Sequence, residues 1–481
     1  MADARPLIVD LDRSLTRADV AMESLVRVAR RSVALCAALL WWMLAGRAGL
    51  KTRLARLDPV DPARLPYRAE VIALIQSARA DGRPVWLASA AHGRNVVRVA
   101  RHLGLFDGII ASTRRANIKG SAKLAAIRAA FPDTPFDYVG DSTADRPIWR
   151  AAQRAYTVGA PVGGPNEERL GQPPRGTARA LLKAIRPHQW AKNSLVFVPL
   201  LTAGLLGHGG AICATMLAFA CLSAIASGVY LLNDLLDIDA DRQHGKKQHR
   251  PLASGDLTIA VAVVAAVVAV LGGLGAAWWW LGLPAFAALI TYFTLTVAYS
   301  FRIKSAMIAD VITLACLYTI RLVVGAAALG VPISSWLLLF STFFFLSLGY
   351  LKRYIELRGS AVDGDMLLSG RGYVPSDVEI VSMSGISAGM VSLLVIALFA
   401  DAMQASGQYA APQLLWLLML PLLYWFNRVW MMARRGQVDG DPVAFAIRDR
   451  RSIIVGAAMT VLVLCAKFVP MGTVLVALHP Q

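Results

Sequence analysis

The sequence NDLLDIDAD, residues 233–241, stands at the end of a long apolar run and places four carboxylates and one amide within nine residues. On a helix, Asp234, Asp237 and Asp241 are three or four residues apart and therefore share one face. Acidic side chains crowded on one face repel each other, and a bound divalent cation relieves this repulsion. Because carboxylates and amides offer oxygen ligands, the cation they suit is Mg²⁺. Because charges at the mouth of a membrane helix are costly, we interpret the stretch as a Mg²⁺ site; a solvated acidic helix end is the alternative.

The composition is too apolar for an ordinary soluble protein, since 56% of the 481 residues are hydrophobic and the mean hydropathy is +0.53. The net charge of +18 fits basic loops beside an anionic membrane and phosphorylated substrates. No interleaved basic and aromatic surface indicates a nucleic-acid partner. The five cysteines lack ligand spacing, so neither a disulfide framework nor a zinc site is predicted.

Three short apolar runs in the first part of the chain each end in a polar residue: PLIVD (6–10), VWLAS (85–89) and YVGD (138–141). This pattern is typical of parallel strands that deliver side chains to the carboxyl edge of an α/β sheet. Lys123 lies between the second and third runs, on the helical segment KLAAIRAAF. We therefore predict a Rossmann-like α/β domain over residues 1–158.

These elements carry four motifs in sequence order: Asp10-Leu11-Asp12, Ser89, Lys123 and Gly140-Asp141-Ser142-Thr143-Ala144-Asp145. The set resembles the haloacid dehalogenase superfamily of phosphotransferases. The resemblance implies that Asp10 is a nucleophile that forms an aspartyl-phosphate, and that Asp12 is the general acid and base. A carboxylate nucleophile divides hydrolysis into two easier steps.

The same resemblance assigns Ser89 and Lys123 to the phosphoryl oxygens and Asp145 to the substrate. It assigns Mg²⁺ to three carboxylates: Asp10, Asp12 and Asp141. A metal ion and a lysine together neutralise phosphoryl charge. Ser14 departs from the family pattern, in which Thr or Val is commoner, and Lys119 is an alternative for the lysine role.

Residues 15–80, between the first two motifs, are expected to form a helical cap. The cap contains the apolar run SVALCAALLWWMLAG (32–46), which is too short for a comfortable membrane span. A single crossing there would also separate Asp10 from Ser89 and Asp141 by the membrane. The run is therefore either a buried cap helix or a helix on the membrane surface, where flanking arginines favour it.

The rest of the chain divides into a Gly- and Pro-rich linker at residues 159–180 and an all-α membrane domain at residues 181–481. The apolar runs predict nine transmembrane helices, roughly at 194–208, 212–232, 258–278, 282–300, 307–329, 334–350, 382–401, 413–430 and 452–474. Lys and Arg cluster in alternate loops, and the opposite loops contain none. By the positive-inside rule, we expect a multi-pass protein of a bacterial-type cytoplasmic membrane. Its first domain and active sites would lie in the cytoplasm and its C-terminus outside.

The membrane domain with the motif at residues 233–241 resembles the UbiA-type prenyltransferase superfamily. The resemblance implies that Mg²⁺ and a pyrophosphate donor bind between two Asp-rich motifs. The second motif departs from the family pattern, because Asp310 is followed four residues later by Leu314 instead of a second acid. With the segments RPHQWAKN, YLKRYIEL and FAIRDR, the chain most resembles the decaprenyl-phosphate phosphoribosyltransferases. Those enzymes transfer phosphoribose from 5-phosphoribosyl 1-pyrophosphate to a polyprenyl phosphate.

This resemblance implies roles for the polar residues of the predicted inner face. Mg²⁺ that stabilises the departing pyrophosphate would be held by Asn233, Asp234, Asp237, Asp241 and Asp310. The donor and the lipid phosphate would be bound by Lys192, Asn193, Lys247, Arg250, Arg321, Lys352, Arg353 and Glu356. Ordinary positive-inside anchors are the alternative for the basic members. Arg321 lies within a predicted span, where an unpaired charge is costly, so we expect it to face a polar cavity.

A phosphoribosyl product retains a 5-phosphate, and the first domain is equipped to hydrolyse such an ester. The sequence therefore predicts a two-step enzyme that makes polyprenyl-phosphoryl ribose on the route to lipid-linked arabinose. One alternative is a prenyltransferase that moves an isoprenoid onto an aromatic or other small acceptor. Another is a non-catalytic lipid-binding or scaffold role for the first domain. The isoprenoid length and a homo-oligomeric state stay open.

Overall fold

The computed structural model divides into two compact units: Met1–Ile185 with Tyr230–Val267, and Arg186–Val229 with Val268–Gln481. Residues 230–267, which the sequence places in the membrane domain, thus form part of the first unit. The structure describes residues 5–31, 47–113, 118–158, 166–171, 176–245, 247–363, 372–404, 407–438 and 440–469. The cap run at 32–46 and Lys246 lie outside the described residues.

The first unit contains the predicted parallel sheet, with the strand order β3-β2-β1-β4-β5-β6. Its strands are β1 Leu7–Val9, β2 Val85–His92, β3 Gly108–Ser112, β4 Asp137–Gly140, β5 Arg154–Thr157 and β6 Glu167–Arg169. In the centre, Val9 pairs with Leu87 on one side and with Val139 on the other. The carboxyl ends of β1 and β4 therefore meet at one edge, where the polar residues that follow them lie close together.

Both faces of this sheet are covered by helices. In chain order, the helices of residues 1–185 are α1 Val20–Arg31, α2 Arg47–Leu57, α3 Ala69–Ala80, α4 Gly93–Leu103, α5 Ser121–Ala130, α6 Arg146–Ala151 and α7 Thr177–Ala184. Of these, α3 and α4 pack on one face of the sheet and α5 and α6 on the other. Leu7 and Val9 join the apolar core on one face, whereas Ile8 joins a second core with Tyr138 and Ile127 on the other. Successive strand residues point to opposite faces, so a strand buried on both sides is apolar throughout.

The second unit is helical. Its helices, with those that lead into it, are α8 Val198–Thr202, α9 Gly209–Leu236, α10 Ile238–Gln243, α11 Ile259–Ala276, α12 Gly282–Phe301, α13 Ala309–Leu329, α14 Ser335–Asp363, α15 Val378–Gln404, α16 Met419–Arg434, α17 Pro442–Arg448 and α18 Arg450–Phe468. Its core is rich in aromatic side chains, with Phe344 stacked on Trp425 at 5.6 Å between ring centroids.

Seven helical stretches in the described residues are long and apolar enough to cross a membrane, so the nine predicted spans are not confirmed. The first predicted span begins as the 3₁₀-helix Pro187–Phe197 and continues only to Thr202. The stretch Ile259–Phe301 has 43 residues and replaces two predicted spans. A straight helix of that length would extend about 65 Å, twice the hydrocarbon thickness. A π-helical turn before Gly282, whose φ is +80°, divides it.

Candidate active sites

The sheet-edge site, defined here as Asp10, Lys123, Asp141 and Asp145, forms where β1 and β4 end. Asp10 follows β1 directly and is buried. One of its carboxylate oxygens accepts a hydrogen bond from Lys123 Nζ at 2.8 Å, and the other accepts one from Ser14 Oγ at 3.2 Å. The sequence-predicted nucleophile therefore has a fixed position beside a cation.

Lys123 comes from α5 and is buried among groups of the site. Besides Asp10, its Nζ contacts the hydroxyl of Tyr138 at 2.9 Å and Asp145 Oδ1 at 3.4 Å. Burial alone would lower the pKa of Lys123, but the carboxylates of Asp10 and Asp145 outweigh it and raise that pKa. Lys119, the alternative for the lysine role, is exposed. The charged lysine at this edge is Lys123.

Three carboxylates of the sheet-edge site are arranged as metal ligands. Among the described residues, Asp10, Asp141 and Asp145 are the one acidic group whose ligand oxygens all lie within 4.8 Å of one another. Burial, reinforced by the charge of Asp10, raises the pKa of Asp141 to about 7. Such mutual repulsion is what a divalent cation relieves, and the all-oxygen donor set fits Mg²⁺.

Asp12, predicted as a metal ligand, is not part of that group. Its Oδ1 accepts a hydrogen bond from the backbone N–H of Val20 at 2.9 Å. Burial, followed by the charges of Asp19 and Asp10, raises the pKa of Asp12 well above its ordinary value. A carboxyl group whose pKa is raised in this way is better suited to general acid catalysis than an ordinary aspartate.

Ser89 lies fully buried on β2, two residues beyond the pairing of Leu87 with Val9. Its Oγ accepts a hydrogen bond from the backbone N–H of Ala91 at 3.0 Å. The strand therefore delivers Ser89 to the same edge of the sheet as Asp10, as predicted.

Sequence reasoning missed three groups of the sheet-edge site. Ser14 lies 3.2 Å from Asp10 and 3.4 Å from Asp141, so the residue that departs from the family pattern bridges two carboxylates. Tyr138 donates its hydroxyl proton to Asp145 at 3.0 Å. Arg13, with φ +61°, places Nε 3.6 Å from Asp141. Neither the positive φ of Arg13 nor the position of the Tyr138 hydroxyl on a buried strand produces a periodic pattern in the sequence.

The acidic segment, residues 233–250, is helical but not one straight helix. α9 ends at Leu236, Asp237 takes a turn conformation, and α10 begins at Ile238. Asp234 and Asp241 are buried and both contact Nη1 of Arg250, at 3.2 and 2.6 Å. Asp237 and Asn233 are half-buried, and Lys247 is exposed. Asp234, Asp237 and Asp241 were predicted to share one helix face, but only Asp234 and Asp241 are brought together on Arg250.

The guanidinium of Arg250 stands where a cation would neutralise Asp234 and Asp241. Two buried carboxylates gathered on one positive group are a donor set that fits Mg²⁺, which commonly takes one or two carboxylates and completes its shell with substrate phosphate. Asp237 would be a third ligand only after a local rearrangement, because the three acids do not form a compact group here.

In the second unit, Asp310 and Arg353 form a fully buried ion pair with 2.6 Å between Oδ2 and Nε. The hydroxyl of Tyr373 donates to Asp310 at 2.8 Å. Arg353 also contacts Glu356 and, at 3.2 Å, the hydroxyl of Tyr299. Asp310, predicted as a metal ligand, is therefore held by an arginine in this structure.

Lys192 and Lys352 converge on Asp441, with Nζ atoms 2.5 and 3.8 Å from its Oδ2. Asp441 also caps α17 by accepting from the backbone N–H of Val443 at 3.0 Å. The segment carrying Lys192 and the loop before α17 are thereby joined. Two lysines sharing one carboxylate leave excess positive charge, which suits an anionic ligand.

Arg321 was expected to face a polar cavity, but its partners are protein groups. It is buried between the rings of Tyr292 and Tyr318, at 5.2 and 5.0 Å from the ring centroids. Its Nε donates to Asn193 Oδ1 at 3.1 Å, and Asn193 donates to Ser223 Oγ at 3.0 Å. Arg321 and Asn193, both predicted to bind substrate, form one buried polar group within the second unit.

Comparison with known proteins finds two families in the chain. Residues 196–446 match the UbiA prenyltransferase family, and residues 7–150 match the haloacid dehalogenase-like hydrolases. The uncharacterized protein y4nM of Sinorhizobium fredii is 34% identical over 94% of this chain and 89% of its own length. Nodulation protein NoeC of Azorhizobium caulinodans is 36% identical over 56% of this chain and 88% of its own length.

Decaprenyl-phosphate phosphoribosyltransferase of Mycobacterium tuberculosis is 36% identical over 40% of this chain and 65% of its own length. Among solved structures, a UbiA homolog from Archaeoglobus fulgidus bound to GPP and Mg²⁺ covers 60% of this chain, with 15% identity and a TM-score of 0.44.

Proposed function

The chain belongs to the UbiA prenyltransferase family, and from this we propose that it transfers 5-phosphoribose from phosphoribosyl pyrophosphate to a polyprenyl phosphate and then removes the 5-phosphate. The similarity to decaprenyl-phosphate phosphoribosyltransferases supports the first step. The match of residues 7–150 to haloacid dehalogenase-like hydrolases supports the second. Both steps would take place on the cytoplasmic side of the membrane, where the basic loops are expected.

In the transfer step, an oxygen of the lipid phosphate attacks C1 of the ribose, and the bond from C1 to the pyrophosphate oxygen breaks. The lipid phosphate is already an anion, so it needs no strong base. Asp234 and Asp241 would hold Mg²⁺, which supplies charge stabilisation for the departing pyrophosphate. Arg250 would then be released from the two acids and could bind a phosphate.

The single acid of the second motif is the observation that favours phosphoribose over an isoprenoid donor. Asp310 has no acidic partner at position 314, and Arg353 neutralises it at 2.6 Å. We assign Lys192 and Lys352 to anion binding, because they share the single carboxylate of Asp441 and lysine recognises phosphate through charged hydrogen bonds. Arg353, which is buried against Asp310 and Glu356, is assigned to holding Asp310.

In the hydrolytic step, Asp10 attacks the 5-phosphate, and Asp12 donates a proton to the departing ribose oxygen. Water then attacks the aspartyl-phosphate as Asp12 takes its proton, and inorganic phosphate leaves. Lys123 would neutralise a phosphoryl oxygen, and Asp141 would hold Mg²⁺. The contact of Lys123 with Asp10 at 2.8 Å is the observation that carries this assignment.

The test uses purified full-length protein, polyprenyl phosphate and phosphoribosyl pyrophosphate labelled in the ribose. Wild-type protein should give polyprenyl-phosphoryl ribose, and the Asp10→Asn variant should accumulate its 5-phosphorylated precursor. If the precursor does not accumulate, the two domains do not act in sequence.

An isoprenoid transferase remains the second candidate, because the family matched by residues 196–446 is a prenyltransferase family. Turnover of a prenyl pyrophosphate with a small aromatic acceptor, in the absence of phosphoribosyl pyrophosphate, would establish it.

A further inference from the structure

The N-terminal end of helix α1 in the first unit contacts Asp12, which is two residues from Asp10 of the sheet-edge site. The backbone N–H of Val20, its first residue, donates to Asp12 Oδ1 at 2.9 Å. Asp19 caps the same turn by accepting from the N–H groups of Ala21 and Met22, each at 3.0 Å. The start of α1 is therefore fixed against the residue proposed as general acid.

The same helix binds the acidic segment along its length. Glu23 forms a two-point ion pair with Arg242, at 2.5 and 3.1 Å. Arg27 Nη1 lies 3.3 Å from Asp239 Oδ1, and Arg30 donates to the backbone carbonyl of Leu236 at 3.0 Å. Positions 20, 23, 27 and 30 recur every three or four residues, so one face of α1 makes all these contacts.

The ion pair between Glu23 and Arg242 is largely shielded from water. The Glu23 side chain is 1% exposed, and that of Arg242 is 9% exposed. Val26, on the adjoining part of the helix, packs in one apolar cluster with Leu235 and Ile238. A cavity of about 140 Å³ is lined by Arg13, next to the sheet-edge site, and by Arg242. The contacts of α1 therefore run from Asp12 at its start to the acidic segment further along the helix.

We propose that α1 is a structural part of both sites and that Glu23 is a positioning residue for the acidic segment. Glu23 fixes Arg242, and Arg242 is bonded in the chain to Asp241, whose carboxylate faces the cation position occupied by Arg250. The inference rests on the proposed function only in taking Asp234 and Asp241 as the metal ligands. It makes the hydrolase-like domain a support for the transferase site as well as a separate catalyst.

Metal binding without turnover tests the proposal. Mn²⁺ is the probe, because its electron paramagnetic resonance signal distinguishes bound from free ion. In full-length protein, the Asp141→Asn substitution removes Mn²⁺ binding at the sheet-edge site. Adding Asp234→Asn should abolish the Mn²⁺ binding that remains. In the Asp141→Asn background, Glu23→Gln should weaken that remaining binding about tenfold, the usual effect of losing a group that orients a ligand.

The matched control is Asp137→Asn. Asp137 is equally buried and ion-paired, with Arg83 at 2.5 Å, but lies at the start of β4, at the opposite end of the strand from the site. It should leave Mn²⁺ binding unchanged. Equal weakening by Asp137→Asn and Glu23→Gln would overturn the proposal, since the effect would then be general destabilisation.

A double variant checks the route through Arg242. Arg242→Gln should weaken Mn²⁺ binding as Glu23→Gln does. The double variant should bind Mn²⁺ no more weakly than either single variant, because each substitution removes the same ion pair between Glu23 and Arg242. Additive effects, or no effect of either, would overturn the proposal. Mn²⁺ binding needs no donor or lipid, so a protein that transfers no phosphoribose could still confirm the role of Glu23.

Discussion

The two acidic clusters of the first unit solve the same electrostatic problem differently. At the sheet-edge site, three carboxylates lie within 4.8 Å, and Lys123 contacts two of them from the side. In the acidic segment, Asp234 and Asp241 share the guanidinium of Arg250. The first cluster has three carboxylates to one lysine and keeps more negative charge for a metal, whereas the second has two carboxylates to one arginine.

The backbone explains part of this difference. Asp10 and Asp141 follow adjacent strands whose pairing fixes their separation, so repulsion cannot push them apart. The acidic segment bends at Asp237 and is followed by a loop that brings Arg250 back. A site on paired strands can hold carboxylates together for a cation, whereas a site at a helix end can bring in an arginine that offsets part of their charge.

The largest expected effect is that one substitution in each cluster removes a different activity, phosphate release in one case and phosphoribosyl transfer in the other. Asp141→Asn should lower phosphate release from a soluble monoester by about 10³-fold, because one charged ligand of the preorganised cluster is lost. Asp234→Asn should lower phosphoribosyl transfer by a similar factor. Each variant should retain the other activity, and loss of both in either one would show that the clusters form a single site.

The basic partners of the two clusters should differ in their structural role. Lys123→Met leaves Asp10 buried without its cation and should destabilise the protein by about 3 kcal/mol. Asp234 and Asp241 are buried, but Arg250 is 29% exposed and its loss opens them to water, so Arg250→Met should cost less, about 2 kcal/mol. Pulse proteolysis of the detergent-solubilised protein in urea measures both, and equal losses would contradict the comparison.

The sheet-edge site should also respond to pH. Because the pKa of Asp141 is raised to about 7, a proton competes with Mg²⁺ below that pH. Mg²⁺ affinity should fall at least roughly tenfold for each pH unit below 7 and level off above it. Isothermal titration between pH 5.5 and about 8.5 would measure this, and the binding heat of the sheet-edge site should be absent at every pH in Asp141→Asn. An affinity independent of pH would mean that Asp141 is already ionised.

The parts of this arrangement that were predictable from sequence depend on local periodicity. Apolar runs ending in polar residues predicted the parallel sheet and the convergence of Asp10 with Asp141, since parallel strands end at one edge. The ion pairs of Arg250 with Asp234 and Asp241 were not predictable, because the conformation of a loop brings Arg250 back to these acids. The contact of Glu23 with Arg242 joins residues 219 positions apart, and no local pattern reports it.

The transmembrane helices were also only partly predictable from local sequence patterns. Hydropathy located the apolar segments, but it counts a segment interrupted by 3₁₀ geometry, such as the one before Thr202, as a full helix. It also cannot show that the boundary between two predicted spans is the π-helical turn at residues 277–281. Backbone geometry at a few residues decides both.

The smallest expected effect concerns Tyr138, whose hydroxyl connects Lys123 with Asp145 at 2.9 and 3.0 Å. Tyr138→Phe should destabilise the protein by about 1 kcal/mol, because Asp145 loses a buried hydrogen-bond donor. Tyr67→Phe is the matched control, since the buried Tyr67 hydroxyl has no hydrogen-bond partner among the described residues, and its removal should be neutral or stabilising. Urea denaturation compares the two. Equal effects would show that the Tyr138 hydroxyl does not support the charge arrangement of the sheet-edge site.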